Sequence, residues 1–404
     1  DRVRRNIAVT QPRVFNAVDI PTNQIIPYNT KAKLKEFNLS SRTPLALEEN
    51  IGYQTKAFTK KKGRGLIFMT IGVLTQHLKM LTPKEFMDKY AFIIIDEAHE
   101  QSIDASFVLM MLKKFIQTHY KNPMCPFLIV TSATFDVYKF CDYLLSDVPK
   151  SIRYKNIVDV SGFSHPITDV FLEYPSDNLV ATAIETASNI HKDNIDDLKD
   201  TFRDILIFVS GAADIKKIVS GLESIKFENP IICIPLTRSD IQGETQNFHN
   251  LTLDFKVPTR RIIIATNVGE TGITYQNLKY VIDTGFYNSS EFDPTLGVEL
   301  LINKVVTKGM FRQRRGRSGR NAPGFSYPLY TKETHDKFLE DAYPAIIKEE
   351  ITLNILDLLI RESDPDTMHT EMSSKELVDQ EYLQKSVDIN KIDLLDSPTA
   401  DSWH

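Results

Sequence analysis

Short apolar segments rich in β-branched residues recur along the chain and alternate with segments of helical periodicity. This alternation is typical of parallel sheets covered by helices, so we predict an α/β fold. The continuous apolar run Phe92–Ile95 is expected to be buried on both faces of its sheet. Ser106–Tyr120 and Asn178–Asn189 carry apolar residues at helical spacing and are predicted to be covering helices. The predicted strands are Ile7–Val9, Gly65–Met69, Phe92–Ile95, Phe127–Val130, Ile205–Val209, Ile231–Ile234, Arg261–Ala265 and Tyr280–Ile282.

The predicted strands form two groups, one before about residue 134 and one after about residue 204. Pro149, Gly162 and Pro166 lie between the groups and favour a boundary there. We therefore expect one domain over residues 1–165 and a second over 166–335, followed by a partly unstructured third region over 336–404. Within that last region, Phe338–Leu359 is predicted to be helical.

The composition is that of an ordinary folded protein, with 42% hydrophobic and 25% charged residues. The apolar runs are far shorter than the roughly 18 residues that cross a bilayer, so no membrane partner is expected. The formal net charge of −5 gives no sign of a nucleic-acid partner, which must be sought in local clusters. Three dispersed cysteines, Cys125, Cys141 and Cys233, favour a reducing, intracellular compartment.

The strongest chemical signal is the apolar strand Phe92–Ile95 followed by Asp96-Glu97-Ala98-His99. Carboxylates at the carboxyl end of a parallel strand lie where open α/β sheets bind ligands, and they can hold Mg²⁺ and activate a water molecule. The structural alternative is an acidic helix start, where Asp and Glu suit the helix dipole. The tetrapeptide alone does not decide between these interpretations.

A second signal is Gln313-Arg314-Arg315-Gly316-Arg317-Ser318-Gly319-Arg320. Arg317 and Arg320 are three residues apart, and the glycines permit close backbone approach, so two guanidinium groups can face one polyphosphate. The alternative is a solvated basic surface or a nucleic-acid patch. The two glycines and the leading Gln313 favour the phosphate interpretation.

Together these two segments resemble motifs II and VI of the DEAH-box group of superfamily 2 helicases. Further segments resemble motifs Ia, Ib, III, IV and V in the order of the group: Thr10–Arg13, Phe68–Gly72, Ser132–Thr134, Asp204–Gly211 and Ala265–Thr274. The resemblance covers about residues 6–360. It implies two tandem RecA-like domains with ATP in the cleft between them and RNA, or sometimes DNA, across their top.

The resemblance also implies roles for individual residues. Asp96 would hold Mg²⁺ together with Glu97, and Glu97 would activate the attacking water. The catalytic set is Glu97, His99, Gln313, Arg317 and Arg320. The nucleotide is expected at Asp96, Glu97, Gly269, Thr271, Asp283, Gln313, Arg317 and Arg320. The nucleotide state would be coupled to domain closure by Ser132, Ala133 and Thr134, acting with His99. Nucleic-acid contacts are expected from Arg13, Thr70, Ser210, Gly211, Thr266 and Thr271, mostly to phosphates.

The chain also departs from the pattern of the group. The phosphate-binding sequence Gly-xxxx-Gly-Lys-Ser/Thr is absent, and in the group it lies upstream of motif Ia. We therefore expect a fragment with weak or no ATPase activity by itself. Val14, Ile71, Gly269 and Gly272 stand where the group usually has other residues. The Lys-, Ile- and Asn-rich composition suits a large DNA virus or another AT-rich genome.

The sequence thus predicts an ATP-dependent RNA helicase for the whole protein. Two alternatives stay open, namely a hydrolysis-deficient nucleic-acid or protein-binding module and a DNA translocase. Helicases of this group often depend on activator proteins, although the sequence shows no motif for such a partner. Asp293–Gly297 predicts the turn of a hairpin between motifs V and VI, and in the group a hairpin here separates duplexes.

Overall fold

A computed structural model describes residues 5–36, 42–56, 58–60, 64–132, 137–160, 164–237, 259–270, 273, 275–293, 295–356 and 393–396. The chain divides into two compact units. The described residues of the first unit lie in Asp1–Val158, Glu291–Leu300 and Tyr343–His404, and those of the second in Asp159–Ser290 and Leu301–Ala342. Among the described helices, none is long and apolar enough to cross a membrane.

Strands and helices alternate as the hydrophobic pattern predicts, and each of the eight predicted strands and both covering helices are confirmed. The strands are β1 Asn6–Gln11, β2 Ile51–Gln54, β3 Thr59–Lys60, β4 Leu66–Thr70, β5 Tyr90–Ile95, β6 Phe127–Val130, β7 Ile167–Asp169, β8 Asp204–Phe208, β9 Ile231–Leu236, β10 Arg260–Ala265, β11 Leu278–Asp283, β12 Phe286–Asp293, β13 Val298–Val305 and β14 Gly324–Pro328. The helices are α1 Val14–Asp19, α2 Lys31–Glu36, α3 Ile71–Met80, α4 Pro83–Lys89, α5 Ile103–His119, α6 Val137–Leu144, α7 Lys150–Arg153, α8 Leu179–Asp193, α9 Ala212–Glu223, α10 Lys308–Arg315, α11 Lys332–Asp336 and α12 Ala345–Lys348.

The first unit contains a six-stranded sheet in the order β3-β2-β4-β1-β5-β6. All of its neighbouring strands are parallel except β2 and β3. The central strand β1 places Thr10 beside Met69 of β4 and Ile95 of β5. The carboxyl ends of β1, β4, β5 and β6 therefore meet at one edge of the sheet.

The two faces of this sheet are covered unequally. On one face, Ile93 and Ile95 of β5 are fully buried in a core with Leu74 of α3 and Leu112 of α5. On the opposite face, Ile94 is only partly buried. The prediction that β5 is buried on both faces is thus confirmed fully for one face and only in part for the other.

The second unit contains a six-stranded sheet that is parallel throughout, in the order β7-β14-β11-β8-β10-β9. The central strand β8 is buried along its whole length. Ala187 of α8 and Ile218 of α9 pack in the same core as Ile205 and Ile207 of β8. Because apolar side chains project from both faces of β8, the sheet supports a rigid edge at the carboxyl ends of its strands.

A two-stranded hairpin, β12 and β13, confirms the predicted turn. The Asp293 carboxylate accepts hydrogen bonds from the backbone amides of Thr295 at 2.9 Å and Leu296 at 3.1 Å. Gly297 adopts a positive φ of 65°, which glycine does without steric cost. Aspartate and glycine at these positions therefore fix the turn through local chemistry.

The region Phe338–Leu359, predicted to be helical, is helical only in part among its described residues. The structure has the four-residue helix α12, then extended backbone at Glu349, then a helical segment over residues 352–356. Pro344 precedes α12 with an extended ψ of 146°. Proline lacks the amide hydrogen that an upstream helix would need, and it disfavours helical backbone at the residue before it.

Asp393–Asp396, the last described segment, packs against the first unit. Leu394 lies in an apolar cluster with Phe107 of α5, Ile346 of α12 and Ile351. Lys113 donates to the Asp393 carboxylate at 2.5 Å, and the Tyr143 hydroxyl donates to the Asp393 carbonyl at 2.6 Å. A buried leucine and a flanking ion pair thus tie residues far apart in sequence to α5 and α6.

Leu394→Ala is expected to lower the free energy of unfolding by about 2 kcal/mol, because it removes buried methyl groups from the cluster around Phe107. Urea denaturation followed by circular dichroism measures this change. Leu353→Ala is the matched control, because Leu353 is 72% exposed and its truncation should change stability by less than about 0.5 kcal/mol. Equal effects of the two substitutions would show that the 393–396 segment is not anchored as described.

Candidate active site

Asp96 follows the last residue of β5 and is held by residues from both neighbouring strands. Gln11, the last residue of β1, donates from Nε2 to Asp96 Oδ2 at 2.7 Å. Thr131, immediately after β6, donates from Oγ1 to Asp96 Oδ1 at 2.6 Å. The Glu97 amide donates to the same Oδ1 at 3.1 Å. These bonds fix the direction of the carboxylate without neutralising its charge.

Glu97 adopts a left-handed backbone conformation, with φ 54° and ψ 40°. Such a conformation costs a non-glycine residue about 1–2 kcal/mol, so the surrounding structure must impose it. The bend brings Glu97 Oε2 within 3.3 Å of His99 Nδ1, and the same nitrogen lies 3.1 Å from Ser132 Oγ. The predicted coupling between His99 and Ser132 therefore has a direct contact, whereas Ala133 and Thr134 lie outside the described residues.

The acidic pair fits the way proteins usually hold magnesium. Within the described part of the chain, no group of three or more His, Cys, Asp or Glu residues could enclose a metal ion. Mg²⁺ is commonly bound by one or two carboxylates together with water and substrate phosphates. Asp96 is oriented for that role, and the buried Gln11 Oε1 beside it, which has no hydrogen-bond partner among the described residues, can accept a hydrogen bond from a metal-bound water.

The predicted nucleic-acid residues follow strand ends in both units. In the first unit, Arg13 lies two residues after β1 with Nη2 3.8 Å from Glu100, and Thr70 ends β4 and occupies the N-cap position of α3. In the second unit, Ser210 follows β8 and donates to Asp214 at 2.9 Å, and Gly211 is the N-cap of α9. Thr266 directly follows β10, whereas Thr271 is not among the described residues. Each unit thus gathers its predicted contacts at the carboxyl edge of its own sheet.

The predicted phosphate-binding residues Gln313, Arg317 and Arg320 lie on α10 and the turn after it, in different surroundings. Gln313 is half-buried and Arg320 is exposed. Arg317 is only 4% exposed, and its Nη1 donates to the Ile273 carbonyl at 2.9 Å. Arg320 is therefore the more accessible of the two guanidinium groups, and Arg317 is anchored to the segment that contains motif V.

The neighbouring Arg314, to which sequence reasoning gave no role, is the most buried charged group of this region. Its side chain is 0% exposed. Its Nε donates to Glu270 at 2.7 Å, and its Nη1 donates to Asp283 at 2.7 Å. Burial opposes the charged form, but Asp283 and Glu270 outweigh it and raise the pKa of Arg314. A signal was present in the sequence, since Asp283 is an acid at the end of the apolar strand β11.

Asp283, predicted to contact the nucleotide, is 1% exposed and is engaged inside the second unit. Besides Arg314, it accepts hydrogen bonds from the Gly285 amide at 2.9 Å and from the Tyr330 hydroxyl at 3.2 Å. Burial, followed by the charge of Asp283, raises the pKa of Tyr330. The nucleotide role of Asp283 stays a prediction, while its observed contacts are with these neighbours.

Gly269, also predicted to lie at the nucleotide, occupies a crowded position. A Cβ atom there would lie 2.9 Å from both Ala265 Cβ and the Tyr275 hydroxyl oxygen. The Tyr275 hydroxyl in turn approaches the Gly269 carbonyl at 3.4 Å. Tyr275 therefore explains why this chain has glycine where the group usually has alanine.

Comparisons with known proteins find similarity to helicases. The family model of the helicase conserved C-terminal domain matches residues 188–322. B962L, a protein of African swine fever virus named as an RNA helicase, is 33% identical over 423 residues, covering 98% of this chain and 40% of that protein. The human ATP-dependent RNA helicase DHX33 is 28% identical over 358 residues, covering 87% of this chain and 46% of that protein. The chain spans less than half the length of these relatives.

Among solved structures, the DEAH/RHA helicase HrpB of Escherichia coli matches with a TM-score of 0.68 at 21% identity. The match covers 99% of this chain and 43% of that protein, and it shows the tandem RecA-like fold. With the ordered motifs, the family model and the viral relative in agreement, the chain belongs to the DEAH-box group of superfamily 2 helicases.

Proposed function

We propose that the whole protein is an ATP-dependent RNA helicase, which couples nucleotide hydrolysis to movement along RNA and to its unwinding. The observation that supports this most strongly is the Asp96–Glu97 pair, with Asp96 oriented by Gln11 and Thr131 and Glu97 held in a strained turn beside His99. Strain of this kind concentrates at functional sites. The names of the relatives, which include ATP-dependent RNA helicases, support the choice of ATP and RNA.

In the proposed reaction, Asp96 would hold Mg²⁺, and Glu97 orients the attacking water and accepts its proton. The ion, when bound, neutralises charge on the phosphates. The hydrogen bonds from Gln11 and Thr131 keep Asp96 from turning away when the nucleotide leaves. The contacts of His99 with Glu97 and Ser132 offer a path by which the state of Glu97 reaches the predicted coupling segment.

Gln313, Arg317 and Arg320 are proposed to act on the γ-phosphate and the water. The exposed Arg320 supplies a guanidinium group that reaches the phosphate, and Arg317 supplies a second one from its anchored position beside Ile273. Catalysis of phosphoryl transfer depends mainly on such positioning and charge neutralisation.

RNA is proposed to bind at the strand ends that carry Arg13, Thr70, Ser210, Gly211 and Thr266, and through Thr271. Hydroxyls, backbone amides and one guanidinium group suit contacts with phosphates. Contacts of this kind position a strand without reading its bases. The proposed activity is therefore independent of RNA sequence.

Glu97→Gln in the whole protein is expected to lower the turnover number of RNA-stimulated ATP hydrolysis by about 10²–10⁴-fold, because the amide cannot accept the proton of water. Phosphate release measures turnover, and a fluorescent nucleotide analogue measures binding, which should persist. Glu36→Gln is the matched control, because Glu36 forms only an exposed ion pair with Lys33 at 2.9 Å.

Turnover that is equal in Glu97→Gln and the wild type would contradict the enzymatic proposal and favour a hydrolysis-deficient module. The same assay with DNA of matched sequence tests the choice of RNA. Stronger stimulation by DNA would favour a DNA translocase.

Arg320→Gln is expected to lower the turnover number by about 10³-fold, because it removes a guanidinium group from the transferring phosphate. Arg312→Gln is the control on the adjoining helix α10, since Arg312 is exposed and pairs with Glu340 at 2.5 Å. Steady-state ATPase assays on the whole protein compare the two variants. A loss of equal size in both variants would assign the effect to general charge and not to Arg320.

A further inference from the structure

Arg314 of α10 joins three chain segments that are separate in sequence. Its Nε binds Glu270, which directly follows the short helix after β10, and its Nη1 binds Asp283 at the end of β11. The same Nη1 lies 3.3 Å from the carbonyl of Phe286, the first residue of the hairpin strand β12. One buried guanidinium group therefore contacts motif V, strand β11 of the second unit's sheet and the base of the hairpin.

The surroundings of Arg314 restrict the movement of its guanidinium group. Its guanidinium group lies 4.9 Å from the centre of the Phe208 ring. On the far side of Asp283, the Tyr330 ring packs against Gly285, where a Cβ atom would lie 2.7 Å from the ring. Gly285 has a positive φ of 81° and donates its amide to Asp283. Asp283 is thus held in place by Tyr330 and Gly285, and Arg314 is held by Asp283.

Helix α10 and the turn after it are anchored to one segment at two points. Arg314 binds Glu270, and Arg317, three residues further on, binds the carbonyl of Ile273, three residues after Glu270. Gln313 and Arg317, proposed to act on the phosphate, therefore have their distance from motif V set by two guanidinium groups. Lysine could supply the charge of Arg314 but could not bond two carboxylates with the same rigid fork.

We propose that Arg314 is a positioning residue for nucleotide hydrolysis, which holds Gln313 and Arg317 in register with motif V and with the base of the hairpin. This inference rests on the proposed ATPase function. In this role, Arg314 determines the placement of Gln313 and Arg317 at the phosphate. Through Phe286, Arg314 also determines how tightly ATP hydrolysis is coupled to strand separation. Arg314 does not itself contact the nucleotide in this account.

The first experiment compares Arg314→Lys and Arg314→Gln with the wild-type whole protein. If the fork positions the helix, Arg314→Lys keeps thermal stability closer to the wild type than Arg314→Gln does, yet its turnover number falls by about 100-fold with the nucleotide dissociation constant nearly unchanged. Turnover restored by lysine would overturn the proposal, because a purely structural charge would then suffice.

The second experiment uses Tyr330→Phe, which keeps the ring packed against Phe311 and Phe338 and removes only the hydrogen bond to Asp283. This variant keeps the proposal testable if both Arg314 variants fail to fold. We expect a melting temperature within about 3 °C of the wild type and a turnover number lower by about tenfold. The number of duplexes separated per ATP hydrolysed is expected to fall as well.

Tyr327→Phe is the matched control. Tyr327 lies on β14, three residues before Tyr330, whereas the tyrosine hydroxyl that donates to Asp283 is that of Tyr330. Wild-type turnover and unwinding yield in Tyr330→Phe would overturn the positioning role while leaving the proposed function intact. A wild-type protein that does not hydrolyse ATP in the same assay would instead overturn the proposed function, and this inference with it.

Discussion

The parallel arrangement of the strands is the constraint on which the rest of the structure depends. Parallel strands all end at the same edge of their sheet, so residues that are far apart in sequence become neighbours there. In the first unit this constraint brings Gln11, Asp96 and Thr131 together, each directly at the end of its own strand. In the second unit it brings Glu270 and Asp283 to Arg314. The proposed functional residues of this chain therefore lie at sheet edges, and the buried apolar strands keep those edges rigid.

Buried charge is used differently at the two ends of the second sheet. At the amino end, Asp204 pairs with Arg261 at 3.0 Å, and burial still raises the pKa of Asp204. At the carboxyl end, Arg314 has two carboxylate partners, and its pKa is raised despite complete burial. Because desolvation offsets much of the attraction in a buried pair, such a network adds little net stability. The network instead fixes the positions of its side chains. A site that depends on the placement of phosphate-facing groups requires such fixed positions.

The sequence predicted the strands, their grouping and the acidic pair, because each is encoded locally by apolar runs followed by polar residues. The hairpin turn was equally readable, since Asp293 and Gly297 supply the turn chemistry themselves. The partners of Asp96 were not identified, because Thr131 meets it only through strand pairing between β5 and β6. Arg314 was passed over because the adjacent Arg317 and Arg320 matched a pattern and its own partners lie 44 and 31 residues away. Phe338–Leu359 is helical only in part, because Pro344 interrupts a favourable apolar spacing.

In the proposed function, the acidic pair of the first unit and the arginines of the second unit act in one hydrolysis reaction. A double-mutant cycle of Glu97→Gln and Arg320→Gln, read as the turnover number of RNA-stimulated ATP hydrolysis by the whole protein, tests it most directly. Groups that act as a unit give strongly non-additive effects. A shared reaction predicts that the double variant is no slower than the slower single variant, to within about threefold. A double variant slowed by the full product of the two single effects would contradict it.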